Sequence, residues 1–214
     1  MPKTNLNPHI HLVKHPFITD SLAHLRNKNT RMQKFRRHSN QICQFLFAEA
    51  IRGLDFFSQD IQTPVKKTRV FKLKDEVVIV PVLRSGLAMM FGAIQMMPKS
   101  KVGFIGMQRD EKTAKAHEYY CNLPEINKNT VVIITDPMLA TGGSASFALK
   151  KLQRFKPKEI RLACVVAAPE GIELVNKQFP EVEIFTATID EGLNDKKFIV
   201  PGLGDYGDRY FGTE

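Results

Sequence analysis

From residue 76 onward, apolar residues arrive in short runs, separated by stretches where they recur every three or four positions. The run Val77-Val78-Ile79-Val80-Pro81-Val82 is continuous and β-branched, the pattern of a strand covered on both faces. Similar runs predict strands over 102–107, 131–134, 160–168 and 182–188. Helices are predicted over 86–97, 144–155 and 169–179. Pro169 opens the last of these, where its missing N–H costs least. Strands alternating with helices imply an α/β fold, with a mainly parallel central sheet flanked by helices. Ligands of such sheets bind beyond the carboxyl ends of the strands. The informative loops are therefore those after Val82, Met107, Ile134 and Thr188.

Upstream, 30–50 reads as a helix, with Met32, Phe35, Ile42, Phe45 and Leu46 on its apolar side, Thr30 as N-cap and Gly53 as stop. Residues 1–19 place Pro8, His9, His11, His15 and Pro16 close together and read as an extended arm. No Cys or acidic cluster accompanies these histidines, so a metal site there is not expected. The stretch 108–122 is polar, with little core material, and reads as a mobile hairpin or flap.

At 214 residues the chain fits one domain able to bury a core without disulfides. Its three cysteines lack framework or metal spacing, as expected in a reducing compartment. No secretory h-region and no run of about 20 apolar residues is found, so the expected location is cytoplasmic, away from membranes. The net charge of +9 admits a solvated basic surface, a funnel for a polyanionic small molecule or a nucleic-acid face. The spread of the basic residues along the chain weakens the last.

The densest chemistry lies in V-V-I-I-T-D-P-M-L-A-T-G-G-S, residues 131–144. A buried strand ends in Asp136, and a short turn leads to Thr141-Gly142-Gly143-Ser144 at a helix start. Backbone N–H groups there suit a phosphate, glycines permit its close approach, and two hydroxyls add donors. Asp136 stands where it could accept hydrogen bonds from sugar hydroxyls. No G-K-S/T follows, so a P-loop is excluded. An ordinary strand-turn-helix would need only the Thr-Gly-Gly.

This segment resembles the ribose-phosphate signature of the type I phosphoribosyltransferases. With Pro137, Met138, Leu139 and Ala140 between the acid and Thr141, it is similar to the uracil branch, in which Pro137 commonly replaces a second acid. L-R-S-G, residues 83–86, resembles the branch's pyrophosphate loop, with Ser85 a small departure. Arg109 is similar to its second pyrophosphate-binding arginine, although Gln108 departs from the usual neighbour. The segment 189–214 contains a literal G-x-G-x-x-G at Gly202, Gly204 and Gly207, but no helix and second strand can follow it, so a dinucleotide fold is excluded. P-G-L-G-D-Y-G-D-R instead resembles the uracil-binding loop of the family. Tyr206 stands where many relatives have alanine; its ring would either shrink the pocket or point away.

The resemblance runs from about Val13 to the F-G-T ending and implies a single phosphoribosyltransferase domain. It implies transfer of the phosphoribosyl group of phosphoribosyl pyrophosphate to uracil, giving UMP and pyrophosphate. Arg84, Arg109 and Asp205 would be the catalytic residues, 136–144 and Asp205 would bind the phosphoribosyl substrate, and Ile199, Gly204, Asp205 and Tyr206 would bind uracil. Mg²⁺ would be held mainly through the substrate, with no dedicated protein metal site. Relatives also bring GTP as an activator in some cases, and homo-oligomers of two or more chains. The rival reading is a regulator of the same fold that binds phosphoribosyl pyrophosphate and RNA without turnover.

Overall fold

The computed structural model describes residues 9–109 and 116–213, with only the backbone at Arg109 and Ala116. In chain order the elements are β1 (Ile10–Leu12), α1 (Pro16–Arg26), α2 (Met32–Ala50), β2 (Phe56–Gln62), β3 (Lys67–Leu73), β4 (Glu76–Leu83), α3 (Leu87–Met96), β5 (Lys101–Val102), β6 (Phe104–Arg109) and β7 (Ala116–Asn122). They continue with β8 (Thr130–Thr135), β9 (Met138–Leu139), α4 (Gly143–Leu152), β10 (Glu159–Ala167), α5 (Pro169–Gln178), β11 (Glu183–Ile189), β12 (Gly192–Leu193), β13 (Ile199–Val200) and α6 (Tyr206–Phe211).

The central sheet runs β1-β11-β10-β8-β4-β6-β7 and is parallel from β1 through β6; only β7 is antiparallel. Alternation along each strand feeds two cores. Val77, Ile79, Val131, Ile133, Ala163 and Val165 face α1, α2, α3 and α6. Val78, Val80, Val82, Val132, Ile134, Leu162 and Cys164 face α4 and α5. Burying each large aliphatic side chain there contributes roughly 1.5–3 kcal/mol. The sheet reverses its direction of growth between β4 and β8: the chain first adds β6 on one side of β4, then β8 on the other. The crevice at such a switch point is the expected ligand position, and the loops after β4 and β8 meet there.

Two sequence expectations need correction, and one element was not expected. The arm at 1–19 is not extended throughout its described part: 10–12 adds a parallel edge strand to β11, and Pro16 begins a helix. Pro16 occupies the first helical turn, and His15, extended as a residue before proline should be, caps it by accepting the Phe17 N–H on Nδ1. Thr30 does not cap α2; Arg31 holds that place without a side-chain bond. The hairpin β2–β3 was not foreseen, because nearly every residue of it is exposed and neither strand shows a buried face.

The flap is a hairpin at its base. β6 continues through Gln108, β7 returns antiparallel, and a bulge falls between Gly106 and Met107. Glu118 on β7 is paired with Lys151 of α4 at 2.6 Å. Residues 110–115 and the Arg109 side chain lie outside the described residues.

Candidate active site

The loop after β8 is set by two close approaches. Gly86 lies so near the end of β8 that a Cβ would stand 2.3 Å from the Thr135 carbonyl, and Thr135 Oγ1 donates to the Gly86 carbonyl at 3.1 Å. This draws the turn carrying Arg84 and Ser85 against Asp136. Gly142 caps α4 in the left-handed region (φ 78°), and a Cβ there would meet the Gly171 carbonyl at 2.9 Å. The A-A-P-E-G stretch, 167–171, thus packs the start of α5 beneath the loop.

The first turn of α4 carries no acidic residue, and its N-cap, Gly142, has no side chain to cap it. Its N-terminal amides have no partner within the helix, a favourable place for an anion. Thr141 Oγ1 stands 3.5 Å from the Gly143 amide.

Asp136 accepts from the Ser85 hydroxyl at 3.4 Å and from the Met138 amide. It keeps partial exposure, yet surrounding protein desolvates its carboxylate. Burial pushes its pKa up to about 6, against the pull of those two hydrogen bonds. A carboxylate so poised is a strong acceptor for a sugar hydroxyl that displaces water.

From the other side comes the C-terminal segment. β12 and β13 form a small antiparallel pair, after which Gly202 and Gly204 turn the chain, both with positive φ. Asp205 is exposed and caps α6, its Oδ1 accepting from the Asp208 amide at 2.9 Å. Arginines from elsewhere fix the segment. Arg26 donates to both oxygens of Asp190, at 2.8 and 2.6 Å, and to the Gly202 carbonyl at 2.8 Å; the Gly202 amide returns to Asp190 at 2.9 Å. Arg209 donates to the carbonyls of Leu25, Leu203 and Asn27 and stacks over Phe35.

These pieces enclose a cavity of about 280 Å³. Asp136, Met138, Leu139, Ala140 and 141–144 line one wall; Ile199, Gly204, Asp205 and Tyr206 line the other. An adjoining cavity of about 220 Å³ shares Ser85, Asp205 and Gly207 and is lined by Arg84. The site residues foreseen from sequence are thus brought together, with three qualifications. Pro137 is buried, and its carbonyl serves the Val165 and Val166 amides rather than the cavity. The Arg109 side chain lies outside the described residues. The ring of Tyr206 does not occupy the pocket: it is 1% exposed, packs edge-on against Phe35 and donates to Ser39 Oγ at 2.7 Å.

Lys197 and Phe198 also line the cavity and were not foreseen. Lys197 sits in the β12–β13 turn with φ 64°, and the signal available was the turn-forming Asn194-Asp195 just before it.

A family model described as uracil phosphoribosyltransferase matches residues 12–213. The chain is 45% identical over 200 residues to the uracil phosphoribosyltransferase of Malacoplasma penetrans, covering 94% of this chain and 97% of that protein. It is 47% identical over 203 residues to that of Clostridium perfringens, with the same coverage of 94% and 97%. Among solved structures, the AQ2163 protein from Aquifex aeolicus is similar with a TM-score of 0.90 and 38% identity, over 96% of this chain and 99% of that one.

Proposed function

The chain belongs to the uracil phosphoribosyltransferase family, and from that premise we propose that it transfers the phosphoribosyl group of phosphoribosyl pyrophosphate to uracil, giving UMP and pyrophosphate in pyrimidine salvage. The observation that carries this reading is one cavity joining the phosphate loop 141–144 and Asp136 to the C-terminal segment 199–206, with Arg84 at its edge.

The 5-phosphate sits on the amides and hydroxyls of Thr141 to Ser144, and Asp136 accepts from the ribose hydroxyls. Arg84, and Arg109 from the flap, stabilise the leaving pyrophosphate, whose charge grows as its bond to the anomeric carbon loosens. The uracil N1 lone pair forms the new bond to that carbon as the bonding pair departs with pyrophosphate; the N1 proton is released. No covalent nucleophile is required. Flap closure excludes water that would hydrolyse the sugar phosphate.

The residues lining the cavity offer oxygen donors from Asp136 and Asp205 and no imidazole or thiolate, a set that fits a hard cation held mostly by substrate oxygens and water. Mg²⁺ held this way, near Asp136 and Asp205, would neutralise charge on the pyrophosphate.

Uracil presents an acceptor at O4 and a donor at N3, and cytosine reverses that edge. Main-chain groups at Ile199 and Gly204 that match uracil would leave cytosine unpaired, which is costly in a buried site. The arginine clamps from Arg26 and Arg209 support a segment rigid enough to discriminate. The non-catalytic RNA-binding reading is not favoured, since the base segment is complete.

The chain works as a homo-oligomer in this reading. The β2–β3 hairpin forms a separate two-stranded sheet, with Phe56, Phe71 and Val65 at 59%, 73% and 89% exposure, a surface that calls for a partner. The same reading places the reaction in the cytoplasm; separately, no helix among the described residues is long and apolar enough to cross a membrane. GTP activation belongs to the same reading and is read out by adding GTP to the assay. Incubation with phosphoribosyl pyrophosphate, Mg²⁺ and either uracil, cytosine or hypoxanthine tests the whole. UMP from uracil alone supports it; product from another base overturns the base assignment, and no product from any base overturns the enzyme.

A further inference from the structure

Away from the cavity, Asp20 and His24 lie one turn apart on α1 and face His38 on α2, with one ligand atom from each within 4.8 Å of the others. The two imidazoles stack, their centroids 4.0 Å apart and their planes at 23°. An apolar pair would bury this helix contact at lower cost, since polar rings there lose hydration. The surroundings instead prepare an imidazole for ligation. The Ser21 hydroxyl donates its one proton to Gln41 Oε1 at 3.2 Å, so it accepts from His38 Nδ1 at 3.1 Å. The proton on Nδ1 leaves Nε2 as a bare lone pair, and a hydrogen bond on the far nitrogen is the usual support of a metal-binding histidine. Burial, and then the neighbouring His24, hold His38 below the ordinary histidine range; Asp20 opposes this, while Arg37 and Lys34 add to it.

We infer that Asp20, His24 and His38 form a binding site for a late first-row divalent cation such as zinc, clipping α1 to α2. Two imidazoles and a carboxylate are a common ligand set for such ions, with water completing a tetrahedron. Ligand atoms in that tetrahedron lie roughly 3.3 Å apart, so atoms now up to 4.8 Å apart close by as much as about 1.5 Å, and the two stacked rings turn out of parallel, because each imidazole binds a cation in its own plane. The hard Mg²⁺ used with the substrate prefers all-oxygen sets and would not compete. The site stands apart from the phosphoribosyl chemistry but not from its scaffold: Arg26, in the last turn of α1, holds Asp190 and Gly202 of the base segment. A cation here would stiffen the wall behind that segment.

The test is calorimetric titration of the full chain, stripped with chelator, with Zn²⁺ in the presence of millimolar Mg²⁺, alongside thermal melting and the visible absorption of the Co²⁺ form. We expect one equivalent bound, a raised melting temperature and tetrahedral Co²⁺ bands. His24→Gln and Asp20→Asn, both at positions with solvent exposure, should each weaken binding by about tenfold or more while folding normally without metal. His38→Gln is the less useful variant, because His38 is buried and bonded to Ser21. Wild-type affinity in both His24→Gln and Asp20→Asn would overturn the assignment, as would the absence of binding by the wild type at micromolar Zn²⁺.

Discussion

Replacing Asp136 by asparagine should make the protein more stable and less able to bind its sugar phosphate. Burial raises this carboxyl from its ordinary 3.8 to about 6, a shift of about two pKa units. At about 1.4 kcal/mol per unit, the fold sacrifices up to about 3 kcal/mol by holding the group ionised at neutral pH. The sign follows from the raised value. The native state binds the proton more tightly, so the favourable contribution is complete below the unfolded pKa near 4 and is lost as pH rises through about 6. Asparagine keeps the shape and can still accept from Ser85, without the charge. Urea denaturation should show Asp136→Asn nearly equal to wild type at pH 4 and up to about 3 kcal/mol more stable at pH 8. In a chain of this size that is a rise in melting temperature of up to roughly 10 °C. Loss of a charged acceptor for the ribose hydroxyls should weaken phosphoribosyl pyrophosphate binding by about 1.5–3 kcal/mol, roughly 10- to 150-fold. Wild-type affinity should itself decline as pH falls through about 6. A variant less stable than wild type at pH 8, or one whose advantage is the same at both pH values, would show that the Asp136 charge is not held at a cost to the fold.

Four further substitutions probe the surrounding structure. Arg84→Ala, at an exposed position, should lower turnover by about 10²-fold or more with an unchanged melting curve; unchanged turnover would remove it from the pyrophosphate site. Arg26→Ala leaves the Asp190 side chain, 2% exposed, without its ion-pair partner. It should cost about 3 kcal/mol in denaturation and raise KM for uracil more than for phosphoribosyl pyrophosphate. Tyr206→Phe should cost about 1 kcal/mol through the lost bond to Ser39 and leave the preference for uracil over cytosine intact; a changed preference in steady-state assays would put the ring in the pocket. Gly142→Ala combines left-handed backbone with a 2.9 Å contact on the Gly171 carbonyl. It should destabilise by about 1–3 kcal/mol and abolish binding of ribose 5-phosphate, measured by calorimetry.

The sheet was legible because its strands are buried on both faces, so 77–82, 131–134 and 160–168 stand out as unbroken apolar runs. The segment 136–144 stood out because glycines, hydroxyls and an acid at that spacing have few other uses, and the structure brings it to the cavity. What escaped has physical reasons. β2 and β3 bury nothing within this chain, so they leave no alternation to read. α1 begins with His15 in a role more often filled by Ser, Thr, Asn or Asp, and Pro16 read as a breaker rather than a first-turn residue. The direction of the Tyr206 ring depends on Ser39 and Phe35, more than 160 residues away in sequence, and no local pattern reveals such a contact. The same holds for Arg26, whose partners Asp190 and Gly202 lie at the far end of the chain.

The most direct test is a crystal structure of the protein with UMP. The 5-phosphate should lie on the amides of Thr141 to Ser144, the ribose hydroxyls on Asp136, and the uracil edge against the main chain between Ile199 and Gly204. UMP bound with its phosphate away from the start of α4, or with its base turned from the C-terminal segment, would contradict this arrangement.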